Sequence, residues 1–300
     1  MDKLELKSLG KINLGLDVLG VRDDGYHEVR MVMQTVYLYD DVMITKNKEA
    51  GITLSSNLYF LPTDERNIAY KAAQLLMEEF GITEGISIRL QKRIPVSAGM
   101  AGGSSNAATV LFGVNRMFHL GLSTEQLMER AVTLGADVPY CVMRGTVLAE
   151  GIGEELTTLP PMPKCYILIA KPSFSVSTKW VYETLDATKD IVHPNIDAIM
   201  EGLQEENLQK IADNMGNVLE DVTIEKYPVI EEIKSQMKKA GALNAMMSGS
   251  GPTVFGIFAK RVDAKKAQNF IYKGRLAKQL YIANVHNVFK GTRTNIKKEI

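Results

Sequence analysis

Three hundred residues, 45% of them apolar and 23% charged, suffice for about two soluble domains, each with a core of its own. Thirty-five basic side chains balance thirty-five acidic ones, which leaves no global field to draw in nucleic acid or an anionic membrane, so any anion site must be local. The two cysteines, Cys141 and Cys165, sit in apolar stretches that fit buried thiols in a reducing compartment; with no apolar signal core at the start and no apolar run of the ~18 residues that span a bilayer, a cytoplasmic location is expected.

Residues 4–9 and 12–19 alternate like strands, interrupted at Gly10-Lys11. Lys11 reads there either as a solvated surface cation or as a charge aimed at a phosphate. The Asp-Gly pair of Arg22-Asp-Asp-Gly-Tyr-His predicts a turn that sets an aromatic ring, Tyr26, beside an imidazole, His27. That combination suits stacking on a base and hydrogen bonding to it. A strand is expected over 28–39 and a short hairpin from 42–45 and 52–55. Helical spacing begins after Asn67, with Ile68, Ala72, Leu75, Leu76 and Phe80 along one side as far as Gly81.

The alternating run 86–94 leads into Pro95, Val96, Ser97, Ala98, Gly99, Met100, Ala101, Gly102, Gly103, Ser104 and Ser105, and then into a helical stretch over 106–118. A strand, a glycine loop and a helix start, in this order, bring free N–H groups and about half a positive charge to a backbone that a ligand can approach closely. Glycine and serine also build ordinary connecting loops. Gly-Gly-Ser-Ser pressed against a helix start favours a phosphate cradle. No Gly-Lys-Ser or Gly-Lys-Thr ends the loop, and the protein-kinase glycine pattern with its His-Arg-Asp and Asp-Phe-Gly companions is absent, so both of those nucleotide sites are excluded.

Ser123-Thr-Glu-Gln is a capping box that opens a helix ended by Gly135. Asp137 follows, before Pro139, which is expected to stop the backbone from continuing as helix; the carboxylate reads as an Asx turn or cap, or as a general base. Residues 145–149 resume as strand. Three prolines within 159–163 mark the expected boundary between domains over 1–160 and 161–300. The second half alternates a strand at 165–170, helices over 178–185, 196–203 and 229–240, strands near Ala245 and over 253–258, a helix over 263–272 and a strand over 279–288. The polar tail from Lys290 is expected to fray. Met-Ser-Gly-Ser-Gly-Pro-Thr-Val-Phe, 247–255, is a second glycine-serine turn, able to close with the first over a ligand. The four histidines are scattered and the cysteine and histidine spacing does not suit zinc, so any metal would come with the nucleotide.

Gly-Lys-Ile-Asn-Leu-Gly-Leu from Gly10, the stretch 95–108 and the stretch 247–255 resemble, in order and approximate distance, the three motifs of the GHMP small-molecule kinases, and the resemblance spans nearly the whole chain. The 22–27 turn and Leu-Gly-Ala-Asp-Val-Pro, 134–139, narrow it to the branch whose substrate is 4-diphosphocytidyl-2-C-methyl-D-erythritol. The resemblance implies an α+β fold of two domains, an amino-terminal α+β domain and a ferredoxin-like carboxy-terminal one, with ATP, Mg2+ and the substrate meeting in the cleft between them. It implies that residues 95–105 wrap the nucleotide phosphates, with Met100 in place of the usual leucine, a volume-conserving change. It assigns catalysis to Lys11 and Asp137, the two faces of the cytosine to Tyr26 and Tyr182, its polar edge to His27, the methylerythritol to Asn13 and Thr178, and the adenosine to Asn67. It implies neither metal ligands nor an oligomeric state. Three rivals fit less well. Another GHMP kinase, for homoserine, mevalonate or a sugar, has no reason to keep the Asp-Gly-Tyr-His turn; a silent sensor of the same fold has none to keep both Lys11 and Asp137; and a nucleic-acid-binding module conflicts with zero net charge and no basic stripe.

Overall fold

The structure is a computed structural model that describes residues 2–186 and 191–288; the polar tail from Lys290 lies outside them. The first half comprises β1 (Lys3–Val21), β2 (His27–Asn47), β3 (Ile52–Ser56), α1 (Ile68–Glu79), β4 (Gly85–Gln91), α2 (Gly102–Met117), α3 (Thr124–Ala131), α4 (Asp137–Met143), β5 (Thr146–Glu150) and β6 (Glu155–Thr158). The second comprises β7 (Tyr166–Lys171), α5 (Thr178–Leu185), α6 (Ile196–Gln204), α7 (Leu208–Asp213), β8 (Gly216–Asn217), α8 (Leu219–Lys226), α9 (Val229–Lys239), β9 (Asn244–Met247), β10 (Val254–Phe258), α10 (Arg261–Lys273) and β11 (Gln279–Asn284).

β1 is one strand, not the expected two. Its pairing with β2 runs from end to end but slips between Leu9 and Gly10 and again between Asn13 and Gly15. Across each of these irregularities the buried side chains of β1 change face. Leu4 and Leu6 accordingly pack in the core under the helices, Ile12 and Leu14 in a separate core on the opposite face, and Leu16 and Val18 under the helices again. All six positions are even-numbered, so simple alternation would have put them on one face. The slips therefore turn Lys11 and Asn13, which alternate with Ile12 and Leu14, toward the helices.

The expected hairpin of 42–45 with 52–55 does not form. Residues 42–45 continue β2, whose edge from Asp41 to Asn47 is taken by antiparallel β4, and β3 lands parallel on the outer side of β4. β4 buries Ile86, Ile88 and Leu90, more apolar surface than β3 offers. The large sheet runs β3-β4-β2-β1-β8, with β5 on β2 and β6 on β5. α2 crosses it as the central helix, buried from Ser105 to Leu111, and a Cβ at Gly113 would lie 2.4 Å from Ile44 Cδ1, so the missing side chain permits the close approach of helix and sheet.

The second sheet has the order β11-β7-β10-β9 and is antiparallel throughout. With helices between β7 and β9 and between β10 and β11, this is the ferredoxin-like arrangement. Its inner residues Ile167, Ile169, Phe255 and Ile257 pack against Ile12, Leu14, Val32 and Val36, joining the two sheets through one apolar core. β6, α7 and α8 escape the sequence reading: β6 is mostly exposed and polar, and α7 has only six residues.

Candidate active site

A cavity of about 810 Å³ opens where the first residues of four helices converge: Ile68 of α1, Gly102 to Ser104 of α2, Asp137 of α4, and Thr178 of α5. Each N-terminus presents unsatisfied N–H groups and a partial positive charge, so the wall attracts anions although the chain as a whole carries no net charge. α1 and α5 have their first turns capped by the side chains of Asn67 and Ser177. α2 has not. Its cap position is Ala101, held at φ +52 with no side-chain hydrogen bond, which leaves the N–H groups of the first turn to a ligand.

The loop that enters α2 is fixed from the other half of the chain. Gly99, at φ +71, lies so close to Ser248 that a Cβ on it would sit 1.8 Å from the Ser248 carbonyl oxygen, and Ser248 Oγ donates to the Gly99 carbonyl at 2.9 Å. Gly249, Ser250 and Gly251 continue from there along the cavity wall. Their own support comes from Asn217, whose amide donates to the carbonyls of Met247 and Gly249, both at 2.9 Å, while Glu220 accepts from the Met247 N–H at 2.7 Å. Ser250 Oγ reaches Thr178 Oγ1 at 2.8 Å, tying the turn to the start of α5.

Asp137 opens α4 rather than standing beyond a helix end. Pro139 falls in the first helical turn, where its missing N–H breaks no intrahelical bond, and so it starts a helix where it was expected to stop one. Among the described residues the Asp137 carboxylate has neither a hydrogen bond nor an ion pair; it lies half-buried on the cavity wall. Its negative charge is felt nearby. Burial first and Asp137 second push the Tyr182 phenol up to about 12, and burial first, then Asp137, push the Cys141 thiol above its ordinary range, while Lys11 pulls that thiol down. Lys11 is 5% exposed, lines the same cavity, and donates to Asn13 Oδ1 at 2.7 Å. No ion pair links Lys11 directly to Asp137 among the described residues.

Of the residues expected at the site, Lys11, Asn67, Asp137, Thr178, Tyr182 and every loop position from Pro95 to Ser104 line the cavity. Ser105 does not: it is buried and accepts from Ser8 Oγ at 2.9 Å. Asn13 sits behind the wall, holding Lys11. Tyr26 is 60% exposed on the 22–27 turn, and His27, not Tyr26, packs on Tyr182, with ring centroids 4.5 Å apart and a hydrogen bond from the imidazole to Asp186 at 2.8 Å. Five contributors went unnoticed in the sequence: Asp40, Lys92, Asn106, Asn217 and Glu220. Asp40, a charge in the middle of an apolar strand, was the visible signal.

A model of the GHMP kinases N terminal domain matches residues 67–145, and one of the GHMP kinases C terminal domain matches 199–275. The chain is 54% identical over 281 residues, 94% of its length and 98% of the relative's, to a 4-diphosphocytidyl-2-C-methyl-D-erythritol kinase of Lachnospira eligens. It is 50% identical over 288 residues to a protein of the same name from Alkaliphilus oremlandii, covering 96% and 98% of the two chains. A crystal structure of 4-(cytidine 5'-diphospho)-2C-methyl-D-erythritol kinase superposes with a TM-score of 0.82 at 29% identity, over 95% of this chain and 100% of that one.

Proposed function

Because the chain belongs to the GHMP kinases, and within them to the 4-diphosphocytidyl-2-C-methyl-D-erythritol kinases, we propose that it transfers the γ-phosphoryl group of ATP to the 2-hydroxyl of that substrate, a step of methylerythritol phosphate isoprenoid biosynthesis. The observation that carries the mechanism is the pairing, across one cavity, of an uncapped helix start with a carboxylate that has no partner among the described residues. Residues 95–104 and the first turn of α2 hold the phosphates through main-chain N–H groups. Asp137 accepts the proton of the substrate hydroxyl as its oxygen attacks the γ-phosphorus and ADP departs. Lys11, steadied by Asn13, supplies a fixed positive charge beside the transferring phosphoryl group.

Among the described residues no three histidine, cysteine or carboxylate side chains cluster to hold a metal. Mg2+ would be held chiefly by the nucleotide phosphates, with the Ser104 hydroxyl on the cavity wall as a hard oxygen donor, and would supply positive charge against the phosphates. Tyr182 supplies a stacking face for the cytosine, with Tyr26 and His27 closing on it once His27 leaves that ring. Thr178 and Asn13 serve the methylerythritol and Asn67 the adenosine side. The division into domains near residue 160 and a cytoplasmic location belong to the same reading; no helix among the described residues is long and apolar enough to cross a membrane.

ADP release from ATP and Mg2+ with the cytidyl substrate, beside homoserine, mevalonate and galactose, tests the proposal. Turnover with the cytidyl substrate alone is expected. Turnover with another acceptor, or none with any despite ATP binding, would overturn it.

A further inference from the structure

The loop 95–101 leaves β4 and enters α2, and both of its ends are fastened to one carboxylate that never touches the cavity. Asp40, in β2, is fully buried. Its Oδ1 accepts from the main-chain N–H groups of Arg93 at 2.6 Å and Ile94 at 2.8 Å, the last residues before Pro95. Its Oδ2 accepts from Asn106 Nδ2 at 3.0 Å and from the Lys92 ammonium. Lys92 in turn donates to Asn106 Oδ1 at 2.6 Å and to the carbonyl of Gly102, the first residue of α2, at 3.3 Å. Asn106 also donates to Ser8 Oγ at 2.8 Å, which anchors the group to β1.

A buried ion pair is poor evidence of stability, since desolvation of both charges offsets their attraction, and an apolar pair of like volume serves a core as well. What an apolar pair cannot do is hold two separate main-chain segments at a fixed distance with directional bonds. We propose that the Asp40–Lys92 pair is a positioning device for the phosphate loop: it sets the span between the end of β4 and the first turn of α2, and so pre-aligns the main-chain donors before ATP arrives. Asp40 is a positioning residue, acting only through the loop. This rests on the kinase reading of the cavity.

Two measurements test it. Asp40→Asn keeps the shape and one acceptor oxygen but leaves the Lys92 ammonium without its counter-charge. In the folded variant the affinity for a non-hydrolysable ATP analogue, by calorimetry, is expected to fall about tenfold or more, the loss of one charge-assisted hydrogen bond. KM for ATP should rise with it while KM for the acceptor stays within about twofold, a split that general loosening of the fold would not produce. Equal analogue affinity in variant and wild type refutes the clamp and leaves the kinase reading standing; a wild type that binds no analogue overturns both. The second measurement needs no variant. Hydrogen exchange at the Arg93 and Ile94 N–H groups, both bonded to Asp40, should already be slow in the ligand-free wild type and change little on adding the analogue, whereas fast exchange there that slows only with ligand would refute pre-alignment.

Discussion

Replacing Asp137 by asparagine tests the chemistry with little disturbance of the fold. The carboxylate is half-buried and makes no hydrogen bond or ion pair among the described residues, so no partner is orphaned by its removal. What stability it adds comes from its place at the first position of α4, where a negative charge is favoured by about 1 kcal/mol at most. For a chain of this size that is a fall in Tm of no more than about 2 °C. Asparagine keeps the volume and cannot take the hydroxyl proton, so kcat should fall by about 10²–10⁴-fold. ATP affinity should be unchanged or tighter, because a negative charge has been removed from a cavity that receives a polyphosphate. Steady-state ADP release, calorimetric titration of an ATP analogue and a thermal melt together read all three quantities. A variant that keeps more than about a tenth of the wild-type kcat would refute Asp137 as the base, and one that loses ATP binding would show that the carboxylate holds the site together instead.

Gly99→Ala drives a Cβ into the Ser248 carbonyl and holds alanine at φ +71, so the two glycine loops must part; a folded variant with KM for ATP raised about tenfold or more is expected, and wild-type kcat/KM would count against the contact. Tyr182→Ala removes a stacking face worth about 1–3 kcal/mol, so KM for the cytidyl substrate should rise roughly 5- to 150-fold with KM for ATP nearly constant; an equal rise in both would contradict a base-binding role. Burial raises the Cys165 thiol from its ordinary 9.0 to about 12, raises that of Cys141 as well, and raises Tyr182 to about 12. The unfolded chain ionises these groups at their ordinary values, so their stabilisation is complete below about pH 9 and is lost as pH climbs toward the folded values. The unfolding free energy from urea titration should therefore decline above pH 9, by up to about 1.4 kcal/mol per pH unit for each thiol, and less steeply in Cys165→Ala; a stability flat to pH 11 would contradict the burial of these acids.

What the sequence made legible were local signals. The capping box at Ser123 and the helical spacing of α1, α5, α9 and α10 depend on residues within a few positions of one another. The glycine loop was legible for the same reason. Pairing decisions were not, because they weigh one distant segment against another: β3 lost the β2 edge to β4, and β1 kept its course through Gly10-Lys11 by slipping register instead of breaking. The supports of the site were hidden likewise. Asp40 lies 52 residues from the ammonium it meets, and Asn217 lies 30 from the carbonyl of Met247 that it holds. Pro139 was misread because proline is tolerated at a helix start and forbidden only further in.

The wall from Ala98 to Gly103 carries no polar side chain: alanine, glycine, methionine, alanine, glycine, glycine. All that it can offer a ligand by hydrogen bonding is main chain, which no codon change deletes except one to proline. An inhibitor anchored there would leave few routes to resistance, since the substitutions that reach these atoms are added side chains such as the one Gly99 cannot accept, and they would exclude the nucleotide as well. An inhibitor that leaned instead on the exposed Tyr26 ring would meet a contact that a codon change can remove.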